Sequence, residues 1–436
     1  MERVNIGLIG YGVVGQGVVK VLKSRRKFYK DKYKKDFFIK TIADRSIAKK
    51  PAPGLDDSTL LTSDHQAVLN DKDIQVVIEL IGGMNPAKDI ALSALRSGKH
   101  LVTANKELIA NCGEELFKEA NASGKSIYFE SAVGAGIPII RTITEGLAGN
   151  KFNGVYGIIN GTCNYILTEM SRRKLTFQQA LKEAQEKGYA ESNPTLDING
   201  MDAAHKLSIL VYLTQGKFVG VKEFHTEGIN HISHDDIEFA DTLNLTIRLL
   251  AIAKKIGNEL DVRVHPTLIP KDHALATVNG VDNAIFLDTD PLGVGDIFIE
   301  GQGAGQMTAA SGIVSDLVNV ALRGNAVMPV WSDDPNPEEE GEKLVLRKID
   351  EVETRFYIRF MVVDKPGVLS IITGVLGQYN ISIASVTQKQ ENKGSTVPVV
   401  MLTHGAKERL VREALEQINH LAVVRGKPVA IRMEKL

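Results

Sequence analysis

The run Gly10-Tyr11-Gly12-Val13-Val14-Gly15 falls between an apolar segment over Val4–Ile9 and a helical pattern over Gly12–Leu22. A strand that must become a helix in so few residues has few ways to do it. The first glycine permits the tight turn, the second lets the backbone approach a pyrophosphate, and the third lets helix and strand pack closely. The helix N-terminus adds N–H donors and the positive end of its dipole. Alone the pattern is weak, because a tight turn can bind nothing. Placed directly after the first strand, it points to dinucleotide binding, with Gly10, Gly12, Val13, Val14 and Gly15 forming the phosphate turn.

The next 115 residues support that placement. Strands are predicted over Phe37–Ala43, Ile74–Ile81, His100–Thr103 and Ser126–Phe129, alternating with helices over Ala87–Ser97 and Glu114–Ser123. Such alternation indicates a parallel, doubly wound α/β sheet, here a Rossmann-type domain over 1–130. Texture then becomes less regular, as expected of an α+β domain over 131–330. The stretch Trp331–Lys343 is polar, acidic and proline-punctuated, which reads as linker, assigned to 331–350. The remainder, 351–436, follows a βαββαβ order, the ferredoxin-like arrangement.

Composition narrows the function classes. Formal net charge is -1, from 52 Lys+Arg and 53 Asp+Glu, so bulk positive charge offers no grip on nucleic acid. No apolar run reaches the roughly 18–20 residues of a membrane span. Two cysteines, Cys112 and Cys163, exclude a disulfide scaffold and fit a reducing, cytoplasmic setting.

The second strand ends in Ala43-Asp44-Arg45-Ser46. An acidic residue there accepts from the ribose 2′-OH of NAD, whereas an arginine holds the 2′-phosphate of NADP. Asp44 and Arg45 pull in opposite directions, and the choice between NAD and NADP stays open. The basic run Lys20–Lys35 is expected to be a solvated helix end and loop.

The most informative segment is Gly188–Lys206. Asn193-Pro194 turns the chain, Gly200 breaks it, and a helix is predicted over Met201–Gln215. Asp202 and Lys206 stand four apart on one face; on a surface that pair would be worth only ~0.2–0.5 kcal/mol. Their stripe continues into Ile209 and Leu213, so the helix is expected to be mostly buried. Glu191 and Asp197 lie just upstream. Three carboxylates and a lysine near one helix start make a polar pocket, in which a desolvated lysine can exchange protons near neutrality. Carboxylates also suit a substrate ammonium group.

With these residues in hand, the chain resembles the homoserine dehydrogenases, the monofunctional bacterial type with a C-terminal ACT domain. The likeness runs over 184–206, Thr103-Ala104-Asn105-Lys106, Asn160-Gly161-Thr162-Cys163-Asn164, Gly301-Gln302-Gly303-Ala304-Gly305 and the turn Asp364-Lys365-Pro366-Gly367. It implies reversible NAD(P)-dependent oxidation of L-homoserine to L-aspartate 4-semialdehyde, in the route to threonine, methionine and isoleucine. Lys206 would be the acid/base residue, Glu191 and Asp202 would hold the amino group, and Asp197 and Thr162 would border the substrate. Lys106 would be a second lysine near cofactor and substrate, with Gly188 and Gly303 on the cofactor side. Thr162 can equally be a helix cap, and His273 a structural residue. The loop Glu130–Pro138 resembles a monovalent-cation (Na⁺) loop, with Glu130, Val133, Ala135 and Ile137 as ligands by position. Ala135 stands where glycine is usual, and if φ is positive there it costs roughly 1 kcal/mol or more. A homodimer or homotetramer, with threonine as effector at the ACT domain, follows from the same resemblance. Two other readings are open to the residues: a Rossmann dehydrogenase for another short amino or hydroxy acid, and a non-enzymatic nucleotide and amino-acid sensor.

Overall fold

The structure, a computed structural model, describes residues 2–50, 55–290, 293–323, 344–388 and 396–435. Glu2–Ile9 (β1) leads through the glycine turn into helix Val13–Ser24 (α1). Arg26–Tyr33 (α2) follows, where a loop is expected from the basic run. It is helical because one side has somewhere to go: the buried Tyr29 ring meets Phe37 edge-on at 5.5 Å, while Arg26 and Lys30 both reach Asp36. Lys35–Ala43 (β2), Leu60–Thr62 (β3), Val76–Glu79 (β4), His100–Thr103 (β5) and Ile127–Tyr128 (β6) complete a sheet of order β3-β2-β1-β4-β5-β6, parallel throughout. This is the Rossmann order, and its crevice lies outside the carboxyl ends of β1 and β4.

Helices Ala87–Arg96 (α3) and Lys106–Ser123 (α4) cover this sheet. The second begins eight residues before the expected Glu114, because Asn105 caps it, its side-chain oxygen accepting from the Leu108 amide.

Phe152–Ile158 (β7) opens the second sheet, whose helices include Gly161–Arg173 (α5), Phe177–Glu186 (α6), Thr195–Ile198 (α7) and Met201–Gln215 (α8). Its further strands are Leu245–Ile256 (β8), Glu259–Pro270 (β9), Asp282–Thr289 (β10) and Ile297–Gln302 (β11). The helix Gln306–Arg323 (α9) returns to the first domain, where Ala310, Ile313, Val314 and Leu317 share a core with Val18 and Leu22 of α1. Gly17 permits this approach, since a Cβ there would lie 2.9 Å from the Gln306 backbone.

Trp331–Lys343 lies outside the described residues. The end of the expected linker is part of the fold, as Val345–Leu346 pairs with Glu259–Leu260. The C-terminal strands Glu353–Val363 (β12), Ile383–Thr387 (β13), Thr396–Thr403 (β14) and Val429–Met433 (β15) form the βαββαβ unit with helices Val368–Gln378 (α10) and Glu408–Asn419 (α11). That unit does not stand apart. Arg432 and Met433 pair with Thr267 and Leu268 of β9, so the two sheets are continuous.

Candidate active site

The glycine turn takes the form its sequence requires. Gly10 adopts φ +99°, and a Cβ there would lie 2.6 Å from the Leu80 carbonyl. A Cβ on Gly15 would lie 2.4 Å from the Gly10 oxygen, so helix and strand touch as expected. Gly12 has nothing within 4 Å of that position and opens onto a cleft of about 440 Å³ that Asp44, Arg45, Ser46 and Lys50 also line. That open glycine beside a helix N-terminus fits a pyrophosphate. Val13 is exposed and its carbonyl accepts from Gln306 Nε2 at 2.8 Å, while Val14 packs on the core.

Asp44 is fully engaged. Oδ2 accepts from the Tyr11 amide at 2.7 Å and from Lys50 Nζ at 2.6 Å; Oδ1 accepts from the Ser46 amide and hydroxyl, each at 2.8 Å. Burial works against its charge, but Lys50 and these donors hold the carboxyl well below the usual carboxylate range. Arg45 stands exposed at the rim of the cleft.

From this cleft the backbone and two polar contacts lead to the second domain. Gly82 lines the cleft, and the carbonyl of Gly83 accepts from Asn105 Nδ2 at 2.7 Å. Asn105 starts α4, whose first residue is Lys106. Lys106 Nζ meets Asp202 Oδ1 at 2.7 Å, and Lys206 Nζ donates to Asp202 Oδ2 at 2.9 Å and to the Ile159 carbonyl at 2.7 Å. One carboxylate therefore carries a lysine on each oxygen. Lys206 is buried, as expected for the stripe on α8.

Electrostatics separate the two lysines. Burial pushes the Lys206 amine below the ordinary lysine value; Asp202 opposes that push and Lys106 adds to it. For Lys106 burial is outweighed by Asp202, Asp197 and Glu191, and its pKa is raised. Burial alone would raise Asp202, but the two lysines hold it low. Burial raises Asp197, countered by a hydrogen bond from Asn160. Glu191 stands exposed at the mouth, near enough for Lys106 to feel its charge.

Other expected residues fall in place less directly. Thr162 is not the cap of α5; Asn160 is, accepting from the Cys163 amide at 2.8 Å. The Thr162 hydroxyl instead donates to the Tyr189 carbonyl at 2.8 Å, tying α5 to the loop that holds Glu191. Gly188 at φ +74° closes α6 in that same loop and is not among the residues lining the glycine-turn cleft. Gly303 lies over Asn283, where a Cβ would come within 1.9 Å of Nδ2. Cys163 is buried, its thiol pushed well up by burial. His273 caps a short helix through Nδ1, accepting from the Leu275 amide at 3.2 Å, which is a structural role.

The loop after β6 holds its shape with alanine, for Ala135 sits at φ +50°. The Glu130 carboxylate is taken by the Ile140 amide at 2.7 Å, the Arg141 amide at 3.1 Å and Arg141 Nε at 2.9 Å. It offers a cation no free charged oxygen. The oxygens that suit one are the backbone carbonyls of Val133, Ala135 and Ile137, two of which already accept, from Ser131 Oγ and the Ile139 amide.

Three residues arrange the site through contacts that local sequence pattern does not announce, although Asn160 opens the motif Asn160-Gly161-Thr162-Cys163-Asn164. Asn160 Nδ2 donates to both Asp197 Oδ1 at 2.8 Å and Asp202 Oδ2 at 2.9 Å. Glu79, buried at the end of β4, accepts from Thr103 Oγ1 at 2.7 Å; that hydroxyl accepts from the Asn105 amide at 3.0 Å, which sets the start of α4. Lys50 neutralises Asp44 from six residues away. A polar residue at a strand end beside a helix start is the pattern common to Asn160 and Glu79.

A Rossmann cleft joined to a buried lysine among carboxylates defines an NAD(P)-dependent oxidoreductase acting on a CH–OH group. Comparison with known proteins narrows the class. The family model "Homoserine dehydrogenase, NAD binding domain" matches residues 10–130, "Homoserine dehydrogenase" matches 138–318, and "ACT domain" matches 356–420. The homoserine dehydrogenase of Synechocystis sp. is 39% identical over 441 residues, covering 99% of each chain. That of Bacillus subtilis is 35% identical over 435 residues, covering 100% of this chain and 99% of its own. A crystal structure of the enzyme from Thiobacillus denitrificans superposes with a TM-score of 0.89 at 37% identity, over 99% of this chain and 98% of that one. A hyperthermophilic archaeal homoserine dehydrogenase in complex with NADPH gives 0.63 at 28% identity, over 74% of this chain and 98% of its own. The chain belongs to the homoserine dehydrogenase family.

Proposed function

We propose that Lys206 is the proton-transfer residue in the reversible oxidation of L-homoserine to L-aspartate 4-semialdehyde. The supporting observation is its amine, buried and aimed by Asp202 and the Ile159 carbonyl, with Asp202 also paired to Lys106 at the start of the helix whose cap, Asn105, bonds Gly83 beside the glycine-turn cleft. The bound nicotinamide supplies or receives the hydride. Neutral Lys206 takes the hydroxyl proton during oxidation, and its ammonium form returns that proton to the developing alkoxide in reduction. Lys106 keeps its proton and offers a fixed positive charge beside the reacting oxygen. Both oxygens of Asp202 are engaged by lysines, so direct contact with the substrate ammonium falls to the exposed Glu191, with Asp202 and Asp197 adding negative charge behind it. The Thr162 hydroxyl and the N-terminus of α5 border the substrate on the other side.

The same reading favours NADP. Asp44 is occupied by Tyr11, Ser46 and Lys50 and is a poor acceptor for a ribose hydroxyl, while Arg45 and the remaining N–H groups of Lys50 supply donors for a 2′-phosphate. The NADPH complex of the archaeal relative is in keeping with this. Gly303 is assigned to the cofactor side, in keeping with the nearby Gln306, which reaches the Val13 carbonyl, and Gly188 is assigned there by resemblance alone. A monovalent cation is assigned to the loop after β6, held by the backbone carbonyls of Glu130, Val133, Ala135 and Ile137. Threonine is the effector assigned to the ACT domain, supported by the continuity of its sheet with the catalytic one. The protein is assigned to the cytoplasm as a homodimer or homotetramer; among the described residues no helix is long and apolar enough to cross a membrane.

Steady-state oxidation of L-homoserine with NADP⁺ and with NAD⁺ tests the reading, run with and without threonine on the full chain. Turnover with both cofactors at equal efficiency would overturn the NADP assignment, and an unchanged rate with threonine would remove the effector. Sedimentation of the same sample as a monomer would remove the oligomer.

A further inference from the structure

Asp197 and Asp202 come from different helices, α7 and α8, and carry like charge, yet they meet at one nitrogen. Asn160 Nδ2 donates to Asp197 Oδ1 at 2.8 Å and to Asp202 Oδ2 at 2.9 Å. Its Oδ1 accepts from the Cys163 amide at 2.8 Å, and the residue is 4% exposed. The amide orientation is settled by chemistry, since the group facing two carboxylates must be the donor and the one facing a backbone N–H must be the acceptor. Each of its three polar contacts is thus spoken for. Asp202 Oδ2, one of the two oxygens it holds, is also the one that accepts from Lys206 Nζ.

We propose that Asn160 is a positioning residue for proton transfer: its side-chain NH₂ clamps Asp197 against Asp202 and so fixes the carboxylate oxygen that aims Lys206. A helix cap needs only an acceptor, which serine or aspartate would supply equally well. The second function, a two-proton donor between carboxylates, belongs to an amide. Without it the like charges of Asp197 and Asp202 push apart, and Asp202 swings from the direction that holds the Lys206 amine toward the reacting oxygen. The titratable groups facing Lys206 are Asp202 from its own helix, Asp197 from α7, Lys106 from α4 and the neutral Cys163 thiol from α5; Asn160 touches the first two and the Cys163 amide.

The inference rests on the reading of Lys206 above, and the experiment separates the two. Asn160→Asp and Asn160→Ser both keep an acceptor for the Cys163 amide and remove the paired donor. In each, kcat for homoserine oxidation is expected to fall by about 10- to 100-fold, the scale of a reacting group misplaced by roughly 1 Å. NADP⁺ affinity, read by fluorescence quenching, stays within about twofold, because the phosphate turn is untouched. Asn160→Asp further sets a third carboxylate beside the cluster. The pH limb of kcat that reports Lys206 then moves upward by about one unit, in line with an added opposite charge within a few ångströms. Thermal melts confirm the fold of both variants, and Asn160→Ser carries the test should Asn160→Asp fail to fold. Wild-type kcat and an unmoved pH limb in a folded variant would reduce Asn160 to a cap and overturn the proposal. Failure of the Lys206 reading shows elsewhere, as turnover retained by Lys206→Ala in the parent chain.

Discussion

Lys206 donates to Asp202 Oδ2 at 2.9 Å from one turn further along the same helix, and both side chains are no more than 10% exposed. An i,i+4 pair on a surface contributes little; buried, it leaves an amine whose bonded counter-charge is shared with Lys106. Removing the amine should therefore remove chemistry and spare binding. Lys206→Ala is expected to lower kcat by about 10²–10⁴-fold, the usual share of a positioned acid/base group. Its NADP⁺ affinity, measured by fluorescence quenching, should match the parent. Near-native turnover would take Lys206 out of the mechanism.

The pH dependence follows from the direction of the shift. Oxidation needs the neutral amine, so its rate rises as pH passes the pKa of Lys206, which burial places below the ordinary 10.5. Reduction needs the ammonium form and falls across the same range. Lys106 lowers that pKa by like charge. Lys106→Met should move the limb of the kcat profile to higher pH, at the same time as kcat drops. A limb that moves down, or not at all, contradicts the electrostatic coupling of the two lysines.

These residues also show what was legible in the sequence. The glycine turn, the alternation of strands and helices in the first domain and the helix Met201–Gln215 follow from local pattern, because turn chemistry and helical periodicity act over a few residues; the short strand Leu60–Thr62 and the order of the strands in the sheet do not. Lys206 and Asp202 were visible for the same reason, lying four apart. The contacts of Asn160 and Glu79 were not, although Asn160 stands in the motif over 160–164, since their partners lie 37 and 42 residues away for Asn160 and 24 away for Glu79. The helix start at Lys106 was missed because one capping asparagine decides it. The second sheet's continuity with the C-terminal unit rests on two residue pairs between strands more than 150 positions apart, and no local signal announces them.

The proposed preference for NADP works through what Lys50 does to Asp44. With Lys50 in place at 2.6 Å, the carboxylate is masked and a cation lines the cleft. Lys50→Ala should weaken NADP⁺ binding about tenfold, the size of a lost hydrogen bond to a charged group, and leave NAD⁺ equal or tighter. Isothermal titration with both nucleotides measures it. An equal loss for the two would assign Lys50 a structural role only.

Acid should weaken the junction between the second domain and the C-terminal unit. His265 is 0% exposed, and its Nε2 lies 3.1 Å from Arg263 Nη1. Arginine can only donate, so that nitrogen accepts and the ring is neutral. Burial, with Arg432 and Arg263 nearby, pushes its pKa well below the ordinary value. In the unfolded chain the ring takes up a proton below about pH 6.5, which the folded protein refuses. The stability this group contributes is whole above that pH and is lost as pH falls, at up to about 1.4 kcal/mol per unit. His265→Gln should flatten the fall of melting temperature between pH 6.5 and about 5. A slope that steepens or stays unchanged excludes His265 as its source.

Ala135 holds φ +50° in the loop after β6, with its Cβ buried. The left-handed region costs an L-residue roughly 1–2 kcal/mol, whereas glycine enters it freely and loses about 0.5–1 kcal/mol of backbone freedom on folding instead. The balance favours glycine by about 0.5 kcal/mol. The loop is fixed from several sides: the Glu130 carboxylate is held by Ile140 and Arg141, and the Glu130 amide donates to Asp316 Oδ2 at 2.9 Å. With its neighbours so constrained, the backbone at 135 has no room to relax toward negative φ, and the strain stays. Ala135→Gly should therefore raise the melting temperature by about 1 °C without changing kcat. A lower melting temperature would show that packing of the alanine methyl outweighs the backbone strain.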